Sequence, residues 1–155
     1  MKATPGEIKK HLETLESVPR SLAGLTEDVE EHLLQARAGK DAWSANEVLA
    51  HLRACADVWG KSIEAMLAED TPTLPDIHPR RWIKETDYLV LSFSENCRAF
   101  RSQRERLLAA LKKLTFDDWS RAALIGGRRH TVFTQARRMA KHEAEHIAQI
   151  ESLLK

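Results

Sequence analysis

In the stretch Ala140-Lys141-His142-Glu143-Ala144-Glu145-His146-Ile147-Ala148-Gln149-Ile150, two histidines stand four positions apart among residues that favour a helix. On an α-helix that spacing separates side chains by about 40° of rotation and roughly 6 Å of rise, so both imidazoles can reach one metal ion. The run also satisfies H-E-x-x-H, in which the glutamate after the first histidine serves a zinc peptidase as general base. Such peptidases usually take a third ligand from downstream. Here only nine residues follow His146, none of them His, Asp or Cys, and Glu151 alone among them is a carboxylate. Any third ligand must come from earlier in the chain. For the pair alone, a solvated helix face carrying two chance histidines beside Lys141, Glu143 and Glu145 is an equal explanation.

The elements that would position these histidines are helical. Thr4-Pro5-Gly6-Glu7 has a capping hydroxyl, a proline at the first helical position and a glutamate three residues after the cap. Ile8, Leu12 and Leu15 follow at helical spacing. Pro19 lacks an amide donor and should kink or restart the helix before Leu22, Leu25, Val29 and Leu33 resume the stripe, giving two helical pieces before about residue 37. The strongest start signal is Trp43-Ser44-Ala45-Asn46-Glu47-Val48, where Ser44 and Glu47 form a capping box and Trp43 and Val48 a hydrophobic staple. The second long helix then buries Val48, Leu52, Cys55, Trp59, Ile63 and Met66, with His51 beside that stripe in its first two turns. The proline-rich Thr71–Pro79 is the longest loop. A third helix is predicted from about Arg80 to Lys113 on the period of Leu89, Phe93, Phe100, Leu107 and Leu111. Thr115–Asp118 suits a short capped turn, and Trp119–His130, with Gly126-Gly127 inside it, a second connection. Thr131 or Thr134 starts the last helix, and no segment shows strand alternation.

Four long amphipathic helices with two crossing loops predict an all-α fold, a four-helix bundle in one domain spanning residues 1–155. Bundles build metal sites from side chains on facing helices, so His51 is the natural source of the third ligand opposite His142 and His146. Composition narrows the function. The 24 Lys+Arg and 23 Asp+Glu of the 155 residues give a net charge of +1, without the global basic field that drives nonspecific nucleic-acid binding. No window approaches the ~20 apolar residues of a membrane span, and no apolar run follows Lys2. A cytoplasmic protein with reduced Cys55 and Cys97, binding neither nucleic acid nor membrane, is expected.

Trp43-Ser44-x-x-Glu47-Val48-Leu49-x-His51-Leu52, followed by His142-Glu143-Ala144-Glu145-His146-Ile147-x-Gln149-Ile150, resembles the DinB-like (damage-inducible) family in order and spacing over nearly the whole chain. The resemblance implies a four-helix bundle in which His51, His142 and His146 bind a divalent metal, commonly zinc or nickel, leaving positions open to solvent. Some characterised members are S-transferases using low-molecular-weight thiols such as bacillithiol or mycothiol, one an isomerase of maleylpyruvate; many have no known reaction. Family habit, with apolar faces on the first and third helices, leads to the expectation of a homodimer.

Other residues near this motif have open roles. Cys55, four positions after His51, would close the site as a fourth ligand, but a buried cysteine is more often a small hydrophobe. Glu143 reads either as a general base or as a surface helix former. Gln149 either orients a ligand imidazole or is an ordinary polar residue. Arg128-Arg129-His130 and Arg137-Arg138 read as a solvated charge run or as a receptor for an anionic substrate or thiol carboxylates. Trp59, Trp82 and Tyr88 belong to the core or line a pocket. The leading functional expectation is a metal-dependent thiol S-transferase that takes a low-molecular-weight thiol as co-substrate and a small-molecule substrate. The metal would lower the thiol's pKa so that the thiolate predominates near neutral pH. The alternatives are a noncatalytic metal-containing binding or stress-response module, and a bundle whose site is vestigial.

Overall fold

Helix starts in this chain are set by local capping chemistry. In the computed structural model, which describes residues 2–155, α1 (Pro5–Thr26) begins at Thr4, whose hydroxyl accepts from the amide of Glu7. Helix α3 (Ala45–Ala68) begins at Ser44 with the full capping box to Glu47, and α6 (Val132–Leu153) begins at Thr131, whose hydroxyl accepts from the amide of Thr134. Between them lie short α2 (Glu31–Gln35), short α4 (Pro79–Trp82) and α5 (Phe93–Leu111). The long helices α1, α3, α5 and α6 form the bundle. Each of α1 and α3 packs against both α5 and α6, which places α5 diagonally opposite α6. The interior is filled by Leu15, Leu22, Leu49, Leu52, Ile63, Met66, Phe100, Phe133, Met139 and Ile150, all essentially inaccessible.

Three features depart from the sequence reading. The first is that α1 runs unbroken through Pro19, and the gap between the first two helical pieces falls after Thr26. A proline inside a helix leaves the carbonyl four residues earlier without its amide. Here that carbonyl, Leu15 O, accepts instead from Arg104 Nη1 on α5 at 2.9 Å. The helix tolerates Pro19 because a buried guanidinium supplies the missing donor.

The second is that α5 starts at Phe93, not near Arg80. Ser92 and Glu95 form a capping box that the apolar period of the region concealed. Residues 83–90 form two 3₁₀ turns instead, consistent with the exposed Leu89 and Val90. This segment is pinned from α3: the Asp57 carboxylate accepts from Trp82 Nε1 at 2.9 Å, Tyr88 Oη at 2.6 Å and Gln103 Nε2 at 2.5 Å. A second buried anchor links the side chains of Asn96 and Asn46 at 3.0 Å, with Asn46 also donating to Leu91 O.

The third is a small sheet where only connections were expected. Strand β2 (Ala122–Ile125) pairs antiparallel with β3 (Arg128–Thr131), and β1 (Thr73–Leu74) adds parallel to β2. Gly126 and Gly127, at φ 58° and 77°, make the two-residue turn, both in the left-handed region that a type I′ hairpin requires. A side chain on Gly126 would also meet Asp76 at about 3.0 Å. Four-residue strands flanked by charged residues carry too little alternation to be legible. The sheet positions the loop after β1 alongside α3 and α6.

Candidate metal centre

His51 lies one turn and a half into α3, its position fixed by the Ser44–Glu47 cap, with Glu47 also held by Arg37 at 2.6 Å. His142 and His146 lie on the facing turn of α6. The structure brings the three together: His142 Nε2 lies 3.3 Å from His51 Nε2 and 3.0 Å from His146 Nε2, and one nitrogen from each lies within 4.8 Å of the others. Metal–nitrogen bonds of about 2.0–2.1 Å place two ligand nitrogens about 2.9 Å apart at a right angle and about 3.3–3.4 Å apart at the tetrahedral angle. The observed separations fit that range.

Protonation supports the same use. His146 Nδ1 lies 2.7 Å from Gln149 Oε1, a contact that calls for a proton on Nδ1 and leaves the Nε2 lone pair facing the other two rings. Burial, reinforced by the other charges around the triad, lowers the pKa of His51 and of His142 to about 4, so both are neutral at physiological pH. The Nε2 atoms of His51, His142 and His146 converge, and a cation among them would take a lone pair from each ring. His142 Nδ1 is buried with no hydrogen-bond partner among the described residues.

Cys55 lies beside this cluster. Its Sγ is 3.6 Å from His51 Nε2, yet it falls outside the group of donors that converge. Burial pushes its thiol up to about 12, with Glu143 adding to the effect, and burial also raises Cys97. Neither presents a ready thiolate.

Glu143 is neither a base at the triad nor a surface residue. It is 2% exposed and forms a two-pronged pair with Arg104, itself 2% exposed: Nη1 to Oε1 at 2.7 Å and Nη2 to Oε2 at 2.5 Å. The pair spans the bundle diagonal from α5 to α6. Sequence reasoning missed Arg104, which stood among exposed arginines; its spacing from Phe100, Leu108 and Leu111 on the buried face was the available signal.

The triad opens into a cavity of about 1210 Å³ between α3, α6, the loop after β1 and the β2–β3 hairpin. Trp59 lines it, packed edge-on to His142 at 5.1 Å, and Trp43 is tilted against His51 at 5.2 Å, a role beyond its expected staple. Trp82 lines a separate apolar pocket of about 130 Å³, and Tyr88 is held by Asp57. Arg128, His130, Arg137 and Arg138 reach the cavity wall, whereas Arg129 lies outside it.

No helix is long and apolar enough to cross a membrane among the described residues. No curated protein matches the chain in sequence. Among solved structures, the chain is similar to YfiT from Bacillus subtilis, described as a probable metal-dependent hydrolase with an unusual four-helix bundle topology. The match has a TM-score of 0.82 and 22% identity, covering 98% of this chain and 88% of that one. At that identity the likeness establishes the fold. The family model of the DinB superfamily matches residues 14–150, and so the chain belongs to the DinB superfamily.

Proposed function

We propose that His51, His142 and His146 hold a divalent metal ion, zinc or nickel, and that the protein is a metal-dependent enzyme transferring a low-molecular-weight thiol to a small electrophile. The observation that carries the reading is the convergence of three imidazole nitrogens, one ring oriented by Gln149, on a large open cavity. When bound there, a divalent cation supplies a positive charge that lowers the pKa of a thiol or water next to it. The chain's own residues do the rest. Gln149 holds His146 in the tautomer that presents its lone pair, the Arg104–Glu143 pair fixes the rotation of α6, and Trp43 and Trp59 hold the His51 and His142 rings.

Thiol transfer is favoured over hydrolysis by the placement of Glu143. The carboxylate that would activate water in an H-E-x-x-H enzyme is committed to Arg104, so a substrate that brings its own acidic nucleophile needs no base from the protein. The hydrolytic reading, which the description of YfiT supports, would draw its base from Glu145 on the cavity wall. The test is elemental analysis of untagged protein, paired with turnover of small electrophiles with and without added thiols. A stoichiometric divalent metal lost in His51→Ala, with turnover that requires thiol, supports the proposal. Metal content unchanged in His51→Ala rejects the site, and thiol-independent cleavage assigns hydrolysis.

A further inference from the structure

Each of two histidines of the triad is backed by a tryptophan, and each tryptophan carries an arginine. The Arg80 guanidinium lies over the Trp43 ring at 5.7 Å, with His51 against that ring, and the Arg138 guanidinium lies over Trp59 at 4.5 Å, with His142 against it. Both arginines are thus one ring away from the triad, on its α3 side and its α6 side. Stacking on an aromatic face orients a guanidinium while leaving its five N–H donors free in plane. Arg80, Arg138, Arg128 and Lys141 all line the cavity, and none forms a side-chain hydrogen bond or ion pair with any described residue. Among the described residues, the carboxylates that the wall sets against them are those of Asp76 and Glu145. In a chain whose net charge is +1, this excess of unpaired cations around one opening is local, not a general property of the surface. Cations held near one another without counter-charges repel, and an anion between them removes that cost.

We infer that the cavity binds a small dianionic organic ligand, its two acidic groups held by Arg80 and Arg138 and its remaining portion directed at the histidine triad. Carboxylate and phosphate share the required chemistry, since both accept paired N–H donors from one guanidinium. The inference deepens the reading of the triad as a reaction centre, because it states what kind of molecule approaches it. The arginine site itself does not need the metal.

The experiment uses the whole chain dialysed against chelator, titrated calorimetrically with succinate, phosphoglycolate and acetate at low and high salt. Trp fluorescence serves as a second readout, since Trp43 and Trp59 lie under the arginines. Succinate, phosphoglycolate or both should bind at least about tenfold more tightly than acetate, and more weakly in high salt. Arg80→Gln and Arg138→Gln should each weaken that binding by about tenfold or more, the loss of one charge-assisted contact. Arg20→Gln, an exposed arginine outside the cavity, should leave it unchanged. Both cavity arginines are exposed, so metal content and thermal stability of their variants should match the parent. Equal affinity for acetate, or unaltered binding in the Arg80→Gln, Arg138→Gln double variant, would each overturn the inference. Failure of metal binding with dianion binding retained would instead remove only the metal-centre proposal.

Discussion

Glutamine in place of Glu143 keeps the side chain's size but leaves Arg104 as a charge inside the bundle without its counter-ion. Both groups are 2% exposed, and two charge-assisted hydrogen bonds join them. Each such bond contributes about 1.5–3 kcal/mol, and breaking a buried pair from one side typically costs about 3–5 kcal/mol. Glu143→Gln should therefore destabilise by about 3–5 kcal/mol. A large part of that is the stranded guanidinium, so removing both charges should be far milder. Replacing a buried pair with apolar residues is often neutral or stabilising by about 1–4 kcal/mol. The double variant Arg104→Met, Glu143→Leu, however, also strips the Leu15 carbonyl of its donor, at about 1–3 kcal/mol for an unsatisfied buried acceptor. The net is near zero. Adding Pro19→Ala gives Leu15 O a helical amide again, and the triple variant should regain stability lost by the double one. Urea unfolding at constant m-value reads all three. A Glu143→Gln cost below about 1 kcal/mol would refute the argument, as would a double variant less stable than Glu143→Gln or a triple variant less stable than the double.

Gln149→Ala should weaken metal binding by about tenfold or more, read by competition with a chromophoric chelator, with little effect on unfolding since the side chain is exposed. A Cys55→Ser, Cys97→Ser double variant should keep both metal content and any thiol-transfer activity, and parent thiols should react slowly with alkylating reagents at neutral pH because burial raises both. Acid should destabilise the metal-free protein. With folded pKa values of about 4 against 6.5 for ordinary histidine, His51 and His142 stay unprotonated while the unfolded chain takes up protons, so stability falls as pH drops through that window. Melting temperature followed from neutral pH downward checks this, and a flat profile would contradict it.

The part of the fold legible in the sequence was the part written in local chemistry. Ser44-x-x-Glu47 and the Thr4-Pro5 start fixed helix beginnings because capping acts within one turn, and the 3.6-residue stripe named Leu15, Leu52, Ile63 and Met66 as core. The histidine triad was legible from the four-residue spacing of His142 and His146 taken together with His51 early in a facing helix and the resemblance of both motifs to one family. What escaped was decided at long range. Arg104 and Glu143 look like surface residues until they are paired across the bundle, and Pro19 looks like a break until a donor 85 positions away meets the freed carbonyl. Leu89 held the helical period without being buried, so periodicity carried the third helix too far upstream, past the Ser92 cap.

These long-range contacts explain how a site of only three side chains is held. Two of the three histidines ride on α6, whose rotation about its axis decides whether His142 and His146 face α3 or solvent. Packing alone leaves that rotation defined by interchangeable apolar groups, which tolerate repacking. A buried ion pair does not tolerate it: turning α6 by one residue would carry Glu143 away from Arg104 and strand both charges. The pair is anchored in turn on Leu15 O, a carbonyl available because residue 19 is proline. One proline, the carbonyl it frees, a buried charge pair and the facing of two histidines thus form one chain of dependence. The His142–His146 face is set from the flank of the same helix, about 80° round its axis, by Glu143, whose carboxylate is committed to Arg104.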